Sequence, residues 1–125
     1  MPVRGIRGAT TVDQNTEAEI VSATQALLET ILKENKINRD DIASIFFSVT
    51  QDLDAAFPAS AARDIGLDQT PLLCLNEIPV PGSLPRCLRL LLHVNSNQPQ
   101  SEMVHIYLKD AIQLRPELGV ATSES

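Results

Sequence analysis

Arg7, Glu77 and Arg89 sit in or beside segments that otherwise read as protein core. Charged side chains are rarely fully buried unless paired, and any one of these alone reads as a snorkelling or edge-exposed group. Two arginines and a carboxylate together read as a lined pocket. Guanidinium forks grip carboxylates in a fixed, bidentate geometry, and a glutamate accepts from a hydroxyl. Tyr107, the only tyrosine, is either a half-buried ring with its hydroxyl on backbone or water, or a neutral donor to a carboxylate. Arg63 lies on a short alanine-rich segment, where an arginine is ordinarily solvated. Phe57, before Pro58, suits a staple contact as well as a pocket wall.

Other kinds of chemistry lack their parts. Cys74 lies three residues before Glu77, but neither histidine has a sequence context that nominates it as the thiol's base. His93 and His105 could approach each other in a sheet, yet no HxxxH, HxH or acidic metal-ligand spacing accompanies them, so no metal is expected. A nucleotide cofactor would need GxGxxG after a strand or GxxxxGK[ST]; the chain has neither, and the expectation is no cofactor. What remains is chemistry that needs only shape and placed charge.

The scaffold must therefore position those groups. The chain has 125 residues, 43% of them hydrophobic, enough for a real core without a disulfide or metal staple. Its net charge of -6 argues against a general grip on nucleic acid or an anionic membrane, so a bound anion must meet a local basic cluster. Four aromatics, Phe46, Phe47, Phe57 and Tyr107, leave no platform for stacking bases. Cys74 and Cys87, in apolar stretches without CxxC spacing, read as packed thiols of a cytoplasmic protein. No run approaches a membrane span, and the start MPVRG lacks a secretory apolar region.

Val3–Val12 reads as an opening strand with Arg7 on the side of Val3 and Ala9. Thr16 and Glu19 make a capping-box pattern, and Ile20, Thr24, Leu27, Leu28 and Ile31 then share one helical face. Asn38–Asp41 caps a short turn before Ile42–Thr50, an apolar run that reads as a buried strand. Pro58 opens a second helix through Ile65, with Gly66 as its stop. Leu72–Leu75 is a strand, followed by a stiff loop of prolines 79, 81 and 85. Arg86–Val94 is a nearly continuous apolar strand with Arg89 on the side of Cys87, Leu91 and His93, and Met103–Leu108 is a last strand with His105 and Tyr107 together. The order βαβαβββ implies an α/β (α+β) fold: a mixed sheet of about five strands with two helices on one face.

Taken in order, VRGIRGATTV, FPASAAR, CLNE, RCLRLLLHV and HIYLKDAIQLRPEL resemble the monofunctional AroH-class chorismate mutases over residues 3 to 118. The resemblance implies one domain at 1–118 with a flexible tail at 119–125. It also implies a cytoplasmic, pseudo-α/β-barrel homotrimer whose active sites lie in clefts between neighbours. The implied reaction is the Claisen rearrangement of chorismate to prephenate, in phenylalanine and tyrosine biosynthesis.

Carried over residue by residue, Arg7 binds a substrate carboxylate, Arg89 reaches a carboxylate and the ether oxygen, Tyr107 donates to the enolpyruvyl carboxylate, and Glu77 takes the ring hydroxyl. Leu73, Cys74, Leu75 and Asn76 line the ring side, Phe57 and Ala59 form wall, Arg63 guards the entrance, and Leu114 and Arg115 sit on the closing tail. Ser60 departs from a frequent lysine and Leu73 from a frequent threonine, which implies altered affinity more readily than lost activity. The alternative reading is a non-catalytic trimeric protein of the same fold that binds a small anion.

Overall fold

The computed structural model describes residues 1–115; the expected tail at 119–125 lies outside them. Strand β1 (Val3–Thr11) leads to helix α1 (Glu17–Glu34), β2 (Ile42–Val49), α2 (Pro58–Asp64), β3 (Leu72–Asn76), β4 (Cys87–Asn95) and β5 (Ile106–Tyr107). Short 3-10 turns at Arg39–Asp41, Gln100–Glu102 and Lys109–Leu114 complete it. The strands form one mixed sheet in the order β3-β2-β4-β1-β5. β4 runs antiparallel to both β1 and β2, whereas the two edge strands, β3 and β5, run parallel to their neighbours.

Helix α1 starts where its cap directs. The Thr16 side chain accepts from the Glu19 N–H at 3.2 Å, but Glu19 reaches back to the Gln14 N–H. The Thr16 N–H is already bonded to the Gln14 carbonyl, so the reciprocal half of the capping box moves two residues upstream. Ile20, Thr24, Leu27, Leu28 and Ile31 are fully buried, each large apolar one contributing ~1.5–3 kcal/mol. They pack on the face of the sheet carrying Ile6, Phe47, Leu88 and Leu92. Gly8 allows this approach: a Cβ there would stand 2.8 Å from Ile31 Cδ1 and 3.2 Å from Leu27 Cδ1. Pro58 opens α2, and Gly66, at φ +97°, follows its end.

Both helices cover the same face. On the other, Phe46, Leu73, Leu75 and Leu91 remain between 37% and 50% exposed. This corrects the reading of β2 as a buried strand, and β4, a nearly continuous apolar run, shares the pattern. Their burial alternates, because one helical layer covers only every second side chain. The last strand is also shorter than Met103–Leu108. Only Ile106 and Tyr107 pair with β1, and a small second cluster of Ala9, Tyr107 and Ala111, with Leu114 against it, caps that end.

Candidate active site

The uncovered face gathers the charged groups. Arg7 on β1 lies opposite Leu91 of β4, and Ala9 lies opposite Arg89, so the two arginines are diagonal neighbours, about 7–8 Å apart at the backbone. In the single chain Arg7 is exposed and the Arg89 side chain is 47% exposed. They share one surface, but the chain alone does not sequester them, because no layer covers that face.

Arg89 Nε stands 3.2 Å from Glu77 Oε2, and the Ser48 hydroxyl donates to the same carboxylate oxygen. Glu77 follows directly after β3, where its N–H bonds to the Val49 carbonyl at 2.9 Å. Ser48 was legible only as one residue of a buried strand. Its signal lies in the period-two set Ser44, Phe46 and Ser48, two of them polar, on what proves to be the open side.

The start of β4 fixes Arg89. Arg86 adopts a left-handed backbone, φ +46°, unusual for a non-glycine residue. It is held by its N–H to Asp52 at 3.0 Å and its Nε to the Val12 carbonyl at 3.0 Å. The Thr50 hydroxyl accepts from the Cys87 N–H at 3.0 Å. Cys87 is buried beside this knot. Burial pushes its thiol from 9.0 up to about 11, with the Arg89 charge opposing. That leaves it a packed, protonated group.

The remaining residues gather elsewhere. Phe57, 72% exposed, precedes α2. With Pro58, Ser60, Cys74, Leu75 and Asn76 it lines a cavity of about 480 Å³ at the β3 edge of the sheet. Ala59, expected in that wall, instead turns into the main core with Ala62, as its position on the buried side of a short helix requires. Arg63 is exposed in the last turn of α2. Leu73 and Leu75 point to the open face, opposite Phe46 and Ser48, whereas Cys74 lies opposite Phe47 on the helix-covered face. Cys74 is therefore on the other side of the sheet from Arg89. Asn15 ties the loop before α2 in place, accepting from the Asp54 and Ala55 N–H groups at 3.1 Å and donating to Asp54 Oδ1 at 2.7 Å.

Tyr107, 4% exposed, packs with Ala9, Ala111 and Leu114. His105 Nδ1 accepts from the Arg7 N–H at 2.9 Å. Burial lowers its pKa from the ordinary 6.5, with the positive charges of Arg7 and Arg115 acting in the same direction. Among the described residues no cluster of three His, Cys, Asp or Glu could hold a metal ion, and no helix is long and apolar enough to cross a membrane.

Residues 3–118 match the family model for chorismate mutase type I. The chain belongs to the type I chorismate mutase family. Chorismate mutase AroH of Thermus thermophilus is 50% identical over 120 residues, covering 95% of this chain and 98% of the relative. The AroH of Bacillus subtilis (strain 168) is 42% identical over 121 residues, 96% and 95% of the two chains. The solved chorismate mutase from Clostridium thermocellum, Cth-682, superposes with a TM-score of 0.84 at 53% identity, covering 86% of this chain and 96% of that one. Membership makes the protein an isomerase with chorismate mutase activity, serving aromatic amino acid biosynthesis.

Proposed function

We propose that the chain works in the cytoplasm as a homotrimer of one-domain subunits, residues 1–118. Each active site then lies where the bare sheet face of one subunit meets the cavity at the β3 edge of the next. The carrying observation is a separation. Arg7, Arg89 and Glu77 occupy the open face, while Cys74 and the cavity with Phe57 and Ser60 lie toward the helix side and edge. Arg7 and β3 are three strand spacings apart, about 14 Å. The cavity thus lies at the far edge of the sheet from Arg7 and toward its helix side, and a neighbouring copy can bring its own cavity against the open face. The apolar side chains left exposed on the open face, Phe46, Leu73, Leu75 and Leu91, supply the contact that assembly would bury.

The reaction suits such a site. A Claisen rearrangement makes and breaks bonds within one molecule, so it calls for neither a proton donor nor a nucleophile. The enzyme lowers the barrier by holding the enolpyruvyl arm over the ring and by stabilising negative charge that grows on the ether oxygen. In this reading Arg7 and Tyr107 hold carboxylate, Glu77 takes the ring hydroxyl, and Arg89 meets the ether oxygen. Substrate and protein are both negative overall, so attraction rests on Arg7, Arg63 and Arg89.

Two inactive variants test the shared site. Arg89→Ala removes the charged half and Ser60→Trp fills the cavity of the other. Each homo-oligomer should fail, and co-expressed copies should regain turnover in mixed assemblies. Activity equal to the sum of the two separate proteins would overturn the interfacial reading.

A further inference from the structure

The edge of β1 that faces β5 is not completed by backbone. Beyond the two-residue pairing of Gly8 with Ile106 and Ala9 with Tyr107, side chains take over. Gln100 accepts from the Gly5 N–H at 2.9 Å and donates to the Gly5 carbonyl at 2.6 Å. His105 Nδ1 accepts from the Arg7 N–H at 2.9 Å. The ring thus bonds to the main chain of Arg7 while sitting two residues before Tyr107 on the same segment.

We propose that His105 is a positioning residue for the rearrangement, its imidazole tying the Arg7 main chain to the segment that carries Tyr107. This rests on the reading of Arg7 and Tyr107 as substrate-binding groups. An acceptor at Nδ1 requires the tautomer protonated at Nε2. A second proton converts Nδ1 to a donor facing another donor, and the bond to Arg7 is lost. The charged groups facing the ring are Arg7 on β1 and Arg115 beyond the last 3-10 turn. Both are cations that disfavour the second proton, as does the half-burial of the ring. The tie is therefore intact at neutral pH and opens in mild acid.

The test measures kcat/KM against pH, from about pH 5 to 8, for the parent, His105→Asn and His105→Leu, and follows the Arg7 amide and His105 ring of the free parent by NMR. Asparagine retains an acceptor near the place of Nδ1 but does not titrate. His105→Asn should keep near-parent kcat/KM at neutral pH and lose the acid limb that belongs to the ring. His105→Leu, which removes the acceptor that ties the Arg7 N–H to this segment, should fall about tenfold. The Arg7 amide should titrate with the same midpoint as the ring. An unchanged acid limb in His105→Asn, parent turnover in His105→Leu, or an Arg7 amide silent through the ring's titration would overturn the proposal. Should His105→Leu fail to fold, the asparagine profile and the parent amide decide. Parent turnover in Arg7→Ala would instead sink the assignment of Arg7, leaving the amide titration as it stands.

Discussion

Glu77 holds Arg89 by its Nε, with 3.2 Å between that atom and Oε2. A guanidinium carries five N–H donors in a planar fork, so one held through Nε keeps terminal N–H groups for a ligand while its plane is fixed. Ser48 in turn fixes the carboxylate. The three side chains come from β4, the end of β3 and β2, adjacent strands whose registers place Ser48 opposite both Arg89 and Leu75.

Arg89→Ala should lower kcat by ~10² to 10³-fold, the usual loss of a placed donor at a developing oxyanion. Arg89→Lys should recover only part, because a point charge lacks the fork. Thermal stability should barely move, since a half-exposed ion pair contributes ~0–1 kcal/mol. Steady-state turnover and a melting curve on one preparation check both.

Glu77→Gln should be milder than Arg89→Ala. The amide still accepts from a hydroxyl, but the charge that orients Arg89 is gone, and about tenfold in kcat/KM is expected from losing a charge-assisted bond. The site becomes one charge more positive, so KM for the dianionic substrate should rise more steeply with added salt than in the parent. A salt titration distinguishes this from a simple packing defect.

Gly8→Ala should destabilise the fold by ~1 kcal/mol, the low end of the cost of overpacking. The new methyl would meet Ile31 Cδ1 at 2.8 Å, and that terminal methyl can swing only within a filled core. Urea unfolding should show a lower midpoint with an unchanged slope.

The Cys87 thiol contributes a pH dependence of known sign. Its folded value, about 11, lies above the unfolded 9.0, so the unfolded chain loses the proton first. The contribution is whole below 9.0 and is lost as pH rises through about 11. Urea midpoints across that window should fall less steeply in Cys87→Ala than in the parent. At neutral pH the parent thiol should resist alkylation until the chain unfolds.

Much of this was legible in the residues. Thr16, Pro58 and Gly66 mark helix ends by local chemistry, and Arg7, Glu77 and Arg89 stand out because charge is rare in apolar runs. The neighbours that orient them did not stand out. Ser48 is ordinary in sequence and matters because of which face is bare. His105 and Gln100 act as substitutes for backbone partners, a role created only when distant segments meet. Ala59 sits one residue from the cavity-lining Pro58 and Ser60, and Cys74 lies across the sheet from Arg89; a side chain's direction follows from packing that spacing alone does not encode.

The placement of β1 bears on how the chain is made. Its partners in the sheet among the described residues are β4 and β5, and Val3 pairs with Asn95. The first strand to leave the ribosome is thus among the last to find its place. At about 5–20 residues per second it waits several seconds, and α1, β2, α2 and β3 can collapse before it docks. Arg7 reaches its working position only when synthesis is nearly finished, because a nascent fragment ending before β4 lacks both Arg89 and the strand that places Arg7.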